Sequence, residues 1–464
     1  MDGINKANKL TDGSIIKSII FLSVPIIIAN LLQTAYQLID TFWVGRVGAH
    51  AVAAVSISFP IIFLIISLGG GLGIAGTVLV AQYKGRNDQK SVDKVSEQTL
   101  LMMITIGVVL SFAGYFLTPL LIKMMGAEPD VFTGAVAYLR ISFTGMVFIF
   151  GYFVFQSLLR GFGDAKTPMY IVLMTVALNA VLDPLFIFGY GIFPAMGVSG
   201  AALATVITQG VAAVIGIGIL FTGKYGIHLK KENLKPDFKL MKRIFKLGFP
   251  TSIEQSMRAI GFTVMTILVA TFGTITLASY GIGTRIQSFV IIPALSLSIA
   301  NSTLIGQNIG ARKPERAAKI AMISSAVGFV TLTVVGVIFF LFAKQIVTVF
   351  IPNDAAVIES GTMFLKIISL FFGFIAIQMA LFGTFRGAGK TTTAMVFSFI
   401  TLLVQFGSAF LLSKFTSLGD LGLWWAFPIS NLAGAAVVIF WFFRGTWKKN
   451  AHMEELPECD IIEA

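Results

Sequence analysis

Apolar residues in this chain run in blocks of about twenty or more, separated by short polar stretches. A membrane-crossing helix needs about 20 mostly apolar residues. Twelve blocks meet that requirement: 15–43, 51–81, 96–122, 131–158, 167–190, 197–222, 241–271, 275–306, 318–343, 356–383, 391–413 and 421–443. Several exceed the minimum, which predicts tilted spans or ends that protrude into the interface. The pattern predicts an all-α membrane protein.

Composition agrees. Of 464 residues, 56% are apolar and 12% charged, and the mean hydropathy is +0.88. A soluble chain of this length needs more charge to cover its surface, so lipid is the expected solvent for much of it. The net charge of +12 by itself suggests a nucleic-acid partner. Its distribution gives another reason. With both termini placed inside, 26 of the 34 basic residues fall on the inner side, counting the inner ends of spans. Four fall outside (Arg46, Lys123, Lys344, Lys414) and four within spans (Arg140, Arg258, Arg285, Lys366). This is the bias that orients membrane proteins. It predicts an even number of spans and cytoplasmic termini, and it removes the need for nucleic acid. Eight basic residues lie in 223–246, which reads as an interfacial segment near anionic lipid.

The single cysteine, Cys459, cannot form an internal disulfide, and His50, His228 and His452 have no zinc spacing. The polar stretch to Ser14 leads straight into the first apolar block, so no cleaved signal is expected.

The two halves repeat in register. LSVPIII (22–28) matches LGFPTSI (247–253), pairing Pro25 with Pro250, 225 positions apart. VLVAQYKGRNDQKS (78–91) matches TLIGQNIGARKPER (303–316) at the same offset, LLRGFGDAKT (158–167) matches TFRGAGKTTT (384–393) at 226, and Gly197 matches Gly422 at 225. An offset spanning six helices preserves topology, so the repeats are parallel. Duplicated bundles of this kind characterise transporters that bind substrate between their halves. The expected organisation is an N-terminal six-helix lobe (1–222), a basic linker (223–240), a C-terminal six-helix lobe (241–447) and a polar tail (448–464).

Charges inside spans cost about 2.5–3.5 kcal/mol each on insertion scales, so each needs a reason. Three acids lie well inside: Asp40, Asp183 and Glu254. Asn30, Gln33, Gln37 and Asp40 share one face of the first span, and Thr175, Asn179 and Asp183 one face of the fifth. Pro184 follows Asp183 and removes the donor for the carbonyl near Ala180, which could ligate a cation. At about 1.5 Å per residue, Tyr138 on the fourth span and Thr205 on the sixth lie roughly 10–12 Å below the outer surface, level with the two aspartates. The repeat mates of Asp40 and Asp183 are Met265 and Ala409. A role common to both halves would have kept both copies polar. The reading favoured is a cation site whose carboxylates take H⁺ or Na⁺; the alternative is that they only bond neighbouring helices. For Glu254, a local ion pair with Arg258 one turn later is the simpler account, with a secondary role in coupling or gating as the other.

These residues resemble the multidrug and toxic compound extrusion (MATE) family, and within it the DinF-like branch. The resemblance covers Ile16 to Trp447 and rests on QTAYQLIDTFWVGRVG (33–48), AYLRI (137–141), LLRGFGDAKTP (158–168), LNAVLDP (178–184) and GVSGAALAT (197–205). It implies two six-helix bundles forming a V-shaped cavity and substrates that are amphipathic organic cations. It marks Asp40 and Asp183 as a protonation or sodium site completed by Tyr138, Asn179 and Thr205, and places Gln33, Tyr36, Gln37 and Gln156 along the substrate cavity. The NorM-like branch uses acids of helices seven and ten. Here Glu254 sits about one turn early and helix ten has no interior acid, so the resemblance does not extend to an ion site in the second half. The 17 Met and 43 Phe would supply adaptable apolar surface, although most must simply face lipid.

Three motifs are rejected. Gly71-Leu-Gly-Ile-Ala-Gly76 fits a dinucleotide pattern but lies inside a span, where close helix packing is expected. Gly389-Lys390-Thr391 lacks the first P-loop glycine, since Thr384 stands there. The sequon at Asn301 is within a span. Without a nucleotide site the expectation is secondary transport: ion-coupled export of small molecules, no cofactor, no enzyme activity, a monomer in the cell membrane. The runner-up is a lipid-linked oligosaccharide flippase. An intramembrane enzyme is disfavoured because no histidine lies well within a span.

Overall fold

A computed structural model describes residues 9–191, 193–230 and 235–449. The polar tail with His452 and Cys459 lies outside the described residues. Among those described there is no strand. The helices are α1 (Ile15–Gly45), α2 (Ala49–Gly85), α3 (Gln89–Met124), α4 (Pro129–Thr144), α5 (Met146–Phe162), α6 (Lys166–Phe188), α7 (Val198–Thr222), α8 (Phe238–Ala270), α9 (Thr274–Gly310), α10 (Pro314–Leu341), α11 (Ala343–Phe350), α12 (Ala355–Ser369), α13 (Phe372–Gly387), α14 (Thr391–Phe415) and α15 (Asp420–Phe443), with one-turn helices at Lys9–Asp12 and Thr446–Lys449. Helices dominate because a backbone in lipid must satisfy its own polar groups.

Among the described residues ten helices are long and apolar enough to cross a membrane, and two bent pairs, each counted as one span, bring the number to twelve. The expected fourth and tenth spans are these pairs. α4 and α5 meet at Gly145 with a 48° bend, and α12 and α13 meet at Leu370–Phe371 with a 51° bend. A Cβ on Gly145 would lie 2.4 Å from Val206, so α7 packs against the bend itself. The two breaks stand one repeat apart although their residues differ, so the bend belongs to the architecture.

Other repeat-related pairs share geometry. Asn87 and Arg312, 225 apart, are the only non-glycine residues with positive φ among those described (60° and 58°), each in the turn after a long helix. Arginine has no intrinsic preference for that region, so the turn imposes it. A Cβ on Gly161 would lie 2.6 Å from the Thr77 carbonyl oxygen, and one on Gly387 2.6 Å from that of its repeat counterpart Ser302. The glycine shared by RGFG and RGAG therefore marks the same backbone-to-backbone crossing in each half. The glycines at 71–76 also pack closely: Cβ atoms would meet Ser252 at Gly71, Phe153 at Gly73 and Thr99 at Gly76. Asn301, buried in α9, donates to Ser324 Oγ (2.7 Å) and the Ala380 carbonyl (3.0 Å), so its sequon is a structural contact.

The chain forms two compact units. The first holds 24–252 and the second 9–23 together with the chain from 253 onward. Thus α1 begins in the second unit and enters the first at Val24, beside Pro25, while α8 begins in the first and enters the second at Ile253, just after Pro250. In the second unit, Lys313 bonds Asp12, Arg316 bonds the Gly13 carbonyl and Asn308 donates to the Leu10 carbonyl at 3.2 Å, which fixes the start of α1.

Candidate functional site

The acidic residues predicted on the first and fifth spans sit on α1 and α6 of the first unit. Val44 of α1, Ala51 of α2, Tyr138 of α4, Ile187 of α6 and Ala201 and Ala202 of α7 form one apolar cluster. It gathers the ends of these five helices and sets the polar residues one to two turns away at a common level. Asp183 is fully buried on α6, which runs unbroken through Pro184. Its Oδ1 accepts from Asn179 Nδ2 at 2.8 Å, one turn earlier. Tyr36, on the face of α1 that carries Asp40, reaches Thr205 of α7, with 3.1 Å between the oxygens. Asn179 and Asp183 are thus joined, Thr205 is joined to Tyr36, which was expected along the cavity, Asp40 stands one turn beyond Tyr36 on α1, and Tyr138 lies in the adjoining apolar cluster.

Three oxygens here are buried without a hydrogen-bond donor: Asp40 Oδ1, Asp183 Oδ2 and Asn179 Oδ1. No ion pair among the described residues involves either aspartate. All three are acceptors, and acceptors crowded in a region of low polarity create a demand for a proton or a hard cation. Two carboxylates with amide and hydroxyl oxygens form a donor set of the right chemistry for H⁺ or Na⁺ as cargo. Among the described residues no group of three or more His, Cys, Asp or Glu is arranged to hold a metal ion.

Gln33 is half-buried and Gln37 is exposed. Gln156 on α5 is held instead: its Oε1 accepts from Arg160 Nη2 at 2.6 Å. These glutamines are not tied to the carboxylate cluster.

The second unit carries a different arrangement. Glu254 is fully buried and its Oε1 accepts from Arg258 Nη2 (2.9 Å) and from Arg386 Nη2 (3.1 Å). The local pair with Arg258 was expected from spacing. Arg386 was not: it reads as an inner-loop charge, yet lies within α13 with 1% of its surface exposed. The signal available was the repeat, because Arg386 is the counterpart of Arg160 and both precede the glycine at a tight helix crossing. Both guanidinium groups contact Oε1, while Oε2 is buried without a donor, so this acid differs from the first unit's pair in having cationic partners.

Comparison with known proteins gives this geometry a family. The MatE profile matches residues 25–185 and 250–411. The chain belongs to the MatE family. The two matched segments of this MatE chain begin at Pro25 and Pro250 and end 226 positions apart, so the repeat offsets reappear in the family match. The MatE chain is 31% identical to the probable multidrug resistance protein YoeA of Bacillus subtilis, over 95% of this chain and 96% of that one. It is 30% identical to the probable multidrug resistance protein NorM of Thermotoga maritima, over 94% of each. Among solved structures, a crystal structure of MATE in complex with MaL6 superposes with a TM-score of 0.90 at 27% identity, covering 96% of this chain and 99% of that one. The outward-facing conformation of a multidrug resistance MATE family transporter of the MOP superfamily gives 0.89 at 27% identity, covering 95% and 97%. As a MatE protein this chain is a multi-pass membrane transporter and not an enzyme.

Proposed function

We propose that this transporter exports amphipathic, mostly cationic small molecules from the cell by antiport with H⁺ or Na⁺, and that the coupling ion rides on Asp40 and Asp183. Relatives named as multidrug resistance and multidrug export proteins support the substrate class. The observation that carries the ion site is the trio of orphaned acceptor oxygens on Asp40, Asn179 and Asp183, fully buried at Asp183 and without an ion pair. Unpartnered buried acids are costly and persist in membranes where they do work on ions or protons. The repeat supports the same reading, since the second half has Met265 and Ala409 at the corresponding positions and gives its buried Glu254 two cationic partners, Arg258 and Arg386.

In this reading the protein is oriented with both termini in the cytoplasm of the cell membrane, works as a monomer and uses no nucleotide or organic cofactor. An ion arriving from outside cancels one of the two negative charges of the Asp40–Asp183 pair. That removes the repulsion between α1 and α6 and lets α1 change its path near Pro25, which weakens drug binding and releases drug outward. The ion leaves on the inner side as the next drug molecule enters. Asn179 and Tyr36 act as positioning residues, the first orienting Asp183 and the second fixing α1 against α7.

The test is efflux of an ethidium-like fluorescent cation from proteoliposomes under a pH gradient or a sodium gradient imposed separately, with wild type and Asp40→Asn compared. Transport driven by one gradient and lost in the variant identifies the ion and supports antiport. No transport under either gradient by folded, oriented protein rejects it in favour of lipid-linked substrates.

A further inference from the structure

The segment that joins the two halves is built onto the first unit in an unusual way. Its backbone is held by one polar stripe on α3. Gln89 Nε2 donates to the Gly226 carbonyl (2.7 Å), Asp93 Oδ1 accepts from His228 N (2.9 Å) and Glu97 Oε1 accepts from Lys230 N (3.0 Å). Gln98 donates to the Lys235 carbonyl (2.8 Å) and accepts from Asp237 N (2.9 Å). Residues 89, 93 and 97 are successive i+4 positions, so the clasp is a feature of one helix face. Ile227 and Leu229 are buried while His228 and Lys230 are exposed, as in an extended strap with one face packed down.

The consequence lies in the charges. The carboxylates nearest the strap are occupied by backbone N–H groups, and Asp237 is taken by Lys94 (2.8 Å) and by Leu240 N (3.1 Å). Lys94 holds the Asp237 carboxyl below its ordinary range. The lysines that follow have no acidic partner among the described residues: Lys235, Lys239, Lys242 and Lys246 are all exposed and take part in no ion pair. Three of them lie in the first turns of α8, whose rotation is fixed. Gly248 and Ser252 pack against Gly71 and Leu72 of α2 at backbone contact distance. Beside this contact Lys242, Phe245, Lys246 and Phe249 all remain exposed. Phe238 at the helix start is 78% exposed, and the rings of Phe245 and Phe249, both exposed, stack at 5.2 Å.

Lysines interleaved with exposed aromatic rings on one helix end fit the headgroup boundary, where rings enter the acyl region and ammonium groups stay with phosphates. Helix length agrees: the 33 residues of α8 span about 50 Å, roughly 20 Å more than a hydrocarbon core. We propose that Lys235, Lys239, Lys242 and Lys246 with Phe238 form a binding surface for anionic phospholipid headgroups of the inner leaflet. The α3 clasp presents it, and it ties the start of α8 to the membrane surface. The surface depends on the inner-side placement of the linker and not on the ion site.

Full-length protein in neutral detergent is titrated separately with short-chain phosphatidylglycerol, phosphatidylcholine and inorganic phosphate, and bound lipid is counted by native mass spectrometry. Wild type is expected to prefer phosphatidylglycerol over phosphatidylcholine, with no competition from phosphate. At about fivefold per lysine, K235Q/K239Q/K242Q/K246Q is expected to weaken phosphatidylglycerol binding by at least about tenfold. A variant lacking four other basic residues, K90Q/K319Q/K390Q/R444Q, is expected to bind as wild type does. Absence of the preference, equal competition by phosphate, or equal loss in both variants overturns the proposal. If the quadruple variant does not fold, K235Q/K239Q and K242Q/K246Q carry the same comparison. Binding is read without transport, so its failure leaves the antiport reading standing.

Discussion

Replacing Asp183 by asparagine removes a charge and almost nothing else. The side chain is fully buried, and its Oδ1 accepts one hydrogen bond, from Asn179, which an amide oxygen can still accept. The fold should not suffer: no cation is paired with Asp183, so no buried charge is stranded, and the thermal midpoint in detergent should stay level or rise. Ion binding should suffer greatly. A unit charge about 4 Å from a bound cation contributes roughly 4 kcal/mol at an effective dielectric near 20, which is about three orders of magnitude in affinity. The assay is dye accumulation in proteoliposomes under a tenfold proton or sodium gradient. One tenfold gradient carries about 1.4 kcal/mol per ion, so a transporter exchanging one ion per dye concentrates dye by at most about tenfold. Wild type should approach that limit with the coupling ion, and Asp183→Asn should level near one. If the variant concentrated dye as far as wild type does, the carboxylate would not be carrying the coupling charge and the orphaned oxygens would need another explanation.

Gly71→Ala places a Cβ 2.3 Å from Ser252 N and should destabilise the protein by about 1–3 kcal/mol, read as a lower thermal midpoint. Gly45→Ala, with nothing within 4 Å of its new Cβ, should not shift it. Arg386→Met takes one of two guanidinium partners from the buried Glu254 and should cost about 3–5 kcal/mol, with part of the loss recovered when Glu254→Gln is added. Asp93→Asn with Glu97→Gln weakens the clasp on the linker, and limited trypsin digestion should cut after Lys230 at least about twofold faster than in wild type.

How much of this was legible in sequence depends on what enforces each feature. The spans were, because lipid requires apolar side chains over a full crossing length and helices to satisfy the backbone. The tight crossings at Gly71–Gly76 were, because repeated small residues inside a span have little other use. The bends at Gly145 and Leu370–Phe371 were not, since apolar residues continue through them and the break comes from packing: nothing in the pair Leu370–Phe371 announces what Gly145 weakly suggests. The polar faces of α1 and α6 could be aligned by counting residues, but the count says nothing of rotation. That is why the bond from Tyr36 to Thr205 is not legible in the sequence. Arg386 was misplaced because a charged residue near a span end looks the same in sequence whether it snorkels to the surface or turns inward to a carboxylate.

The repeat separates these causes. Where the two halves share a backbone device, as in the positive-φ turns at Asn87 and Arg312 or the glycine crossings at Gly161 and Gly387, the residues beside it match in sequence and in geometry. Where they differ, they differ in buried charge. The first unit keeps two acids without a cation, and the second keeps one acid under two arginines. Duplication gives both halves the same six-helix frame, so any requirement of the frame should appear twice. Asp40 and Asp183 appear once. Their cost of burial is therefore not set against folding, which the second half achieves with Met265 and Ala409 in their places, and it has to be set against a task that only one half performs.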